Sequence, residues 1–363
     1  MNLTIAQVEK LPENTYVYVD IRGETAFSHG HIPGAVCWDE DKDTAGTLPA
    51  KKLVIYCSHG EKSTAVTKRL REQGLEAYNL AGGYREWLLC NFDELSKEEI
   101  QRYDRQILLP QIGIEGQKKL KKSSVLIVGA GGLGAPAALY LAGAGVGRIG
   151  IVDGDVVSVS NLQRQIVHSM ETENVNKAES AKQTLLKLND RIEVKTYPYY
   201  LNAENVENII KEYDFVIDAV DNFETKFLIN DACVLSQKAF CHAGILRFEG
   251  QVMTWVPGEF PCYRCVFEEI PEPGTVQNCS QAGVFGAVAG IAGSLQAVEA
   301  VKYLLNIGEL LTGKMLIINA LTMETRIVRI KKKNSNCRVC SKAAINNIKE
   351  NAKEYRKKSC GIS

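Results

Sequence analysis

A chain of 363 residues, 45% hydrophobic and 24% charged, has the apolar content for real cores and the length for two domains. Its 43 basic and 43 acidic residues cancel, so charge gives no argument for nucleic acid or a membrane surface as the main partner. The odd count of 11 cysteines argues against a disulfide framework, and the first residues lack the basic start and apolar core of a secretory signal, so a cytoplasmic protein is expected.

Tyr16–Asp20 and Lys52–Tyr56 read as strands, the second ending at Cys57. Ser63 to Gln73 carries Val66 and Leu70 at helical spacing, with Gly74 as a stop. Polar residues 91–97 suggest a boundary between domains of 1–92 and 98–345. Lys97 to Gln111 is then amphipathic. Ser124–Val128 is a continuous apolar run that suits a buried parallel strand. A glycine turn, 129–134, and a helix-forming run, 135–142, come next. Arg148–Asp153 and Asp214–Val220 are further strands. Strand, glycine turn, helix, strand predicts a doubly wound α/β fold. Ala282 to Val298 is mostly apolar but holds Ser294, Gln296 and several glycines. It predicts a buried helix packed close to a neighbour rather than a membrane span. Beyond about Ile348 the tail is polar and expected to be poorly ordered.

Cys57 lies between a predicted strand and a predicted helix. Backbone N–H groups and the helix N-terminus there favour an anionic thiolate or persulfide. Gly60 permits the tight loop, and Lys62 is a candidate cation. The plain alternative is a buried strand-end cysteine.

Three motifs carry a resemblance. Asp20-Ile21-Arg22, Phe27 and residues 30–36 (GHIPGAV) form one. Cys57-x-x-Gly60-x-Lys62-Ser63 is the second, and Gly82-Gly83-Tyr84-x-x-Trp87 the third. The first segment resembles a rhodanese domain, with Lys62 where many members have arginine. The resemblance implies that Cys57 carries a sulfane sulfur.

Gly129-x-Gly131-x-x-Gly134 follows a strand and opens a helix, a place for phosphates at a helix N-terminus. Asp153 ends the next strand, roughly where a ribose-binding acid is expected, and alone these residues would suggest NAD. Arg164, Lys177 and a strand-end Asp221 instead supply the parts for binding and neutralising a triphosphate, with Asp221 able to hold Mg²⁺. Each taken singly also reads as solvated surface charge.

Residues 102–106 (RYDRQ), the turn Gly129 to Gly134 with Gly132 inside it, Asp153-x-Asp155, residues 161–165 (NLQRQ) beginning at Asn161, Lys177, Asp221-Asn222 and Gly250-Gln251 occur in order. This part resembles the ThiF/MoeB family, relatives of the catalytic half of ubiquitin-activating enzymes. The resemblance implies a Rossmann-like domain that adenylates a C-terminal glycine with ATP. Asp153 would hold ribose, Gly131 face the phosphates, Arg164 and Lys177 grip them, and Asp221 hold Mg²⁺. Arg105 would reach into the partner subunit's site, which implies a homodimer.

Cys262-x-x-Cys265 and Cys337-x-x-Cys340 are two pairs at metal spacing, and four thiolates point to structural zinc, with redox disulfides as the alternative. The resemblance agrees with zinc. It also places Cys279 on a mobile crossover loop, where some members use a cysteine to take the activated acyl group. Read from its own uncharged surroundings, Cys279 is a polar-loop cysteine with no local base. Cys37, Cys90, Cys233, Cys241 and Cys360 have no motif around them.

The two resemblances together imply activation of a small ubiquitin-like sulfur-carrier protein ending in Gly-Gly. A Cys57 persulfide, loaded by a donor such as a cysteine desulfurase, would then attack to give a thiocarboxylate. In familiar fusions the rhodanese domain follows the adenylating domain; here it precedes it. The alternatives are an adenylyltransferase for another carboxylate or peptide without sulfur transfer, a non-catalytic carrier-binding scaffold, and an NAD oxidoreductase.

Overall fold

The computed structural model describes residues 1–91, 94–258, 260–272, 275, 282–341, 345 and 347–355. Contacts divide the chain into two compact units, Met1–Lys118 and Lys119–Ser363.

The first unit holds a five-stranded parallel sheet. Its strands are β1 (Asn2–Leu3), β2 (Tyr16–Asp20), β3 (Val36–Cys37), β4 (Lys52–Tyr56) and β5 (Ala77–Leu80), in the order β1-β5-β4-β2-β3. Leu53, Val54, Ile55 and Tyr56 are fully buried, as an apolar central strand in a parallel sheet must be. Helix Glu61–Glu72 buries Val66 and Leu70, the pair whose spacing predicts it, and begins two residues before the expected Ser63. The expected amphipathic stretch from Lys97 ends as a helix at Ile107, and a second helix runs Gly113–Lys122. Ser96 caps the first with a reciprocal Glu99 bond. Ile100, Tyr103, Ile107 and Ile114 share a core with Tyr56, Leu80, Tyr84 and Leu88. This apolar face draws residues 97–118 into the first unit.

The second unit is built on an eight-stranded sheet. In chain order the strands are β6 (Ser124–Val128), β7 (Arg148–Val152), β8 (Glu193–Tyr197), β9 (Phe215–Asp218), β10 (Ala239–Leu246), β11 (Glu249–Trp255), β12 (Lys314–Asn319) and β13 (Glu324–Arg329). The sheet order is β13-β12-β11-β10-β9-β6-β7-β8. Strands β10 to β8 along that order are parallel, which is the expected doubly wound part. The antiparallel extension β11–β13 goes beyond the predicted strands. The chain runs from β6 outward through β7 and β8, then returns to the other side of β6 for β9 and β10. The carboxyl ends of β6 and β9 therefore flank a topological switch point, the place where such sheets bind ligands. The glycine turn follows β6 and Asp221 follows β9.

Helix Gly286–Leu305 has the length and apolarity to cross a membrane, and over half of it is buried in the fold. Its polar residues have internal partners. Gln296 Nε2 donates to the carbonyls of Asp218 (2.7 Å) and Cys241 (2.9 Å). Buried Glu299 accepts from Thr254 Oγ1 at 2.6 Å and from Leu311 N at 2.8 Å. A Cβ on Gly293 would stand 2.2 Å from the Leu133 carbonyl, so the expected close packing against the helix Gly134–Ala144 requires glycine there. The tail is ordered further than expected: Tyr355 is buried and its hydroxyl donates to Asp231 at 2.8 Å.

Candidate functional site

Cys57 ends β4, and its thiol accepts three hydrogen bonds from the loop that follows. Gly60 N–H lies at 3.1 Å, Ser63 N–H at 3.5 Å and Ser63 Oγ at 3.3 Å from the sulfur. Burial alone would push this thiol up. The bonds from Ser63 and from the His59 and Gly60 amides outweigh it and hold the thiol below its ordinary value. Gly60 adopts the left-handed φ of +92° and caps helix Glu61–Glu72. Gly83, at φ +62°, is forced too: a Cβ there would stand 2.3 Å from the Cys57 carbonyl. The expected cation is not part of this nest. Lys62 is exposed, and its charge is felt by Asp39 and Glu40 instead.

The glycine turn holds its shape through side chains from neighbouring strands. Asp153 Oδ2 accepts from Ala130 N–H at 2.8 Å, and Oδ1 from Asp155 N–H at 2.9 Å. Burial pushes the Asp153 carboxyl up, against the pull of these amides and of the Lys177 charge. Neutral His168 bridges the Ala130 carbonyl (2.9 Å) and Ser180 Oγ (2.8 Å), a support that no sequence spacing announces. Gly134 has no room for a side chain, since a Cβ would meet the Gly129 carbonyl at 1.8 Å. At Gly131 a Cβ would meet only the Gln165 amide, at 3.5 Å, so the backbone is open to a ligand. Gly132 lies under the Arg164 stem. Asn161, at the end of a short 3₁₀ turn, accepts the Arg164 and Gln165 amides and so sets that arginine beside the turn. Lys177 opens helix Lys177–Leu188 under the Asn176 cap and pairs with Asp155 at 3.0 Å. Asp221 is exposed beyond β9. Thus Gly129, Gly131, Gly132, Gly134, Asp153, Asn161, Arg164, Lys177 and Asp221 all belong to the second unit. Arg105 is exposed in the last turn of helix Lys97–Ile107, in the first unit.

Beneath Asp221 lies a cluster that sequence reasoning missed. Fully buried Asp218 accepts from His242 Nδ1 at 2.7 Å and pairs with Lys226 Nζ at 3.3 Å, while Lys226 also donates to the Ala243 carbonyl at 2.7 Å. Burial, then the Lys226 charge, pushes His242 down from 6.5 to about 4, against the pull of Asp218. The folded state thus keeps His242 neutral where the unfolded chain takes up a proton. The resulting stability is present above pH 6.5 and is lost as pH falls towards 4. At pH 5 the loss from this one group is roughly 2 kcal/mol. Urea unfolding at pH 7 and pH 5 should therefore show a smaller acid loss in His242→Gln than in the parent chain; equal losses would rule this account out.

Cys262, Cys265, Cys337 and Cys340 converge, all four sulfurs within 4.8 Å of one another. Three separations are 3.3, 3.6 and 3.9 Å. A tetrahedral ion at about 2.3 Å from each sulfur requires about 3.8 Å between them, so the set fits a closed four-thiolate metal site. Thiolates this close repel one another, so all four ionise only around a cation. Of the other cysteines, Cys233 and Cys241 are buried, Cys37 is half-buried and Cys90 is exposed. Cys279 and Cys360 lie outside the described residues.

Comparison with known proteins matches residues 103–339 to the ThiF family and residues 4–90 to the rhodanese-like domain. An adenylyltransferase and sulfurtransferase MOCS3 of Drosophila ananassae is 46% identical over 248 residues, 68% of this chain and 55% of that protein. That of Anopheles gambiae is 46% identical over 250 residues, covering 69% and 57%. The chain thus spans about half the length of the curated relatives it matches. Among solved structures, E. coli MccB with MccA-N7isoASN has a TM-score of 0.59 at 26% identity, over 66% of this chain and 75% of that one. E. coli MccB with ATP has a TM-score of 0.56 at 27% identity, over 66% and 74%.

Proposed function

The chain belongs to the ThiF family and carries a rhodanese-like domain, and from this we propose that it adenylates the C-terminal glycine of a small ubiquitin-like sulfur-carrier protein and delivers sulfur to it from Cys57. One observation carries the reading: a nucleotide turn flanked by Arg164 and Lys177 shares a chain with a cysteine whose sulfur accepts loop N–H donors. The names of the MOCS3 relatives, adenylyltransferase and sulfurtransferase, support it, as does the solved complex of MccB with ATP.

In this reading the carrier's carboxylate oxygen attacks the α-phosphorus of ATP and pyrophosphate leaves. Gly131 offers open backbone to the phosphates. Arg164 and Lys177 neutralise them, Lys177 exchanging Asp155 for phosphate oxygen. Asp153 takes the ribose. Asp221 would hold Mg²⁺, which supplies charge neutralisation at the phosphates. The terminal sulfur of a Cys57 persulfide then attacks the acyl carbon and AMP leaves. A thiol reductant cleaves the resulting acyl disulfide, giving the thiocarboxylate. The donor that loads Cys57 is a persulfide source of the cysteine desulfurase type. Arg105 completes the opposite site of a cytoplasmic homodimer.

Zinc would sit among the four cysteines and tie the segment around residues 337–340 to that around 262–265. Cys337→Ser is expected to release it and lower Tm by on the order of 10 °C or more. Metal analysis beside a thermal melt checks this, and a variant that keeps one zinc per chain and its Tm would remove the assignment.

The function is tested by ATP–pyrophosphate exchange with and without a carrier ending in Gly-Gly, followed by intact-mass analysis of the carrier. Carrier-dependent exchange and a thiocarboxylate product are expected. Exchange stimulated as well by unrelated carboxylates, with no sulfur gained, would favour the adenylyltransferase without sulfur transfer.

A further inference from the structure

The loop that carries Cys57 is held from one side by backbone and from the other by the carboxylate of Asp104. On the backbone side, Tyr84 N–H donates to the Cys57 carbonyl at 2.9 Å and Arg85 N–H to the Ser58 carbonyl at 3.1 Å. Both belong to helix Gly83–Asn91. The side chain of His59 leaves the loop in another direction. Its Nε2 lies 3.2 Å from Asp104 Oδ2, on helix Lys97–Ile107. The other oxygen of Asp104 is 3.3 Å from Arg85 Nε, an ion-pair distance without the alignment of a hydrogen bond. Asp104 keeps only 14% of its side chain exposed. It therefore spans the loop residue two beyond the cysteine and the helix residue that fixes Ser58. Its own helix is locked in place by Ile100, Tyr103 and Ile107 in the core.

We propose that Asp104 is a positioning residue for the sulfur chemistry: by holding the His59 ring it fixes the His59–Gly60 backbone that faces the Cys57 sulfur. The inference rests on the reading of Cys57 as the sulfur-carrying residue. Its physical basis is geometric. Gly60 N–H stands 3.1 Å from the sulfur, and amide donors stabilise an anion only while they point at it. Gly60 is at a φ that only glycine adopts easily, so the loop has little intrinsic stiffness and needs a tether. Asp104 immediately precedes Arg105, so one helix turn carries the tether of the sulfur loop and the arginine assigned to adenylation.

The titratable groups around the Cys57 loop are His59, Arg85 and Asp104, with Glu61 and Lys62 exposed at the start of the helix that follows it. The experiment uses the full chain. Cys57 alkylation by iodoacetamide is followed against pH, and sulfur loading from thiosulfate is followed by intact mass. In loading, the thiolate attacks the sulfane sulfur and sulfite leaves. Asp104→Ala and His59→Ala are each expected to move the alkylation midpoint upward and slow loading about tenfold at pH 7, the effect of one misdirected charge-assisted hydrogen bond. The double variant should be no worse than either single one, because both break the same tether. His59→Gln, which keeps an amide donor, should recover part of the rate. Midpoint and loading unchanged in Asp104→Ala, or additive losses in the double variant, would overturn the proposal. A fall in Tm with unchanged midpoint would also overturn it, leaving Asp104 a packing residue. If the parent chain alkylates at a lowered midpoint but never loads sulfur, the failure is that of the Cys57 assignment, and the midpoints still decide the role of Asp104.

Discussion

Cys57→Ala is expected to eliminate thiocarboxylate formation while carrier-dependent pyrophosphate exchange continues at the parent rate. The loss should be on the order of 10³-fold or more, because a nucleophile that forms a covalent intermediate has no substitute in its loop. Adenylation needs no protein nucleophile, only positioning and charge neutralisation, and the groups proposed for these, Arg105 apart, belong to the second unit. The substitution is mild for the fold. Cys57 is buried in an apolar cluster with Ile21, Ile55 and Val66 and its thiol also accepts the loop N–H groups, and alanine removes one sulfur atom while keeping the rest of that packing. Serine is a poorer control than alanine, since a hydroxyl would accept the same donors and mask the loss of the bonds. Exchange and thiocarboxylate product are measured on one preparation, the product by intact mass. If the alanine variant still passes sulfur to the carrier, another thiol is the donor. Cys279 is then the first to test, its uncharged surroundings notwithstanding.

The sulfur loop was legible because its chemistry is local. Cys57, Gly60 and Ser63 stand within seven residues, and a strand followed by a helix fixes where their backbone points. The same holds for the glycine turn, where Gly129 and Gly134 answer to clashes that a Cβ would create and Gly131 leaves the backbone open. The four cysteines were legible for a different reason: two short spacings each limit a pair to one ion, whatever the 75-residue separation between pairs. What stayed hidden depends on contacts between distant segments. Nothing in the spacing of Asp218, Lys226 and His242 says that a strand end, a helix face and the next strand converge. Lys62 shows the converse error. Its place in the motif suggested a cation for the sulfur, but a helix-surface lysine follows its solvent-facing direction, and the amides supply the stabilisation instead.

The expected boundary at 91–97 falls between the two family matches, while the helix carrying Asp104 and Arg105 lies on the first-unit side of the compact division at 118. Residues 91–97 read as a linker, and the ThiF match begins at 103. Tyr103 nevertheless packs with Tyr84 and Leu88, because the apolar stripe of that helix has to be buried and the first unit offers the surface. Family and compact unit thus divide the chain at different points. On the proposed function, the arginine assigned to adenylation is therefore built into the compact unit that holds Cys57.

Two aspartates three residues apart should separate chemistry from folding. Asp221 is exposed, and among the described residues it makes no ion pair. Asp218 is fully buried between Lys226 and His242. Removing the exposed carboxylate takes away the ligand proposed for Mg²⁺, and with it the neutralisation of charge on the phosphates. Asp221→Ala should therefore reduce pyrophosphate exchange on the order of 10²–10³-fold. Its stability should change by no more than about 0.5 kcal/mol, as for other surface substitutions. Asp218→Ala should do the reverse in order of cause. It strands the Lys226 charge in the interior, a loss of about 3–5 kcal/mol, and exchange falls only as the fold does. Urea unfolding and exchange measured on both variants decide the matter. Full exchange in a folded Asp221→Ala chain would remove the Mg²⁺ assignment. An Asp218→Ala chain as stable as its parent would mean that the buried cluster is not held by this pair. The two results are independent, because one carboxylate is the exposed group proposed for Mg²⁺ and the other faces the core.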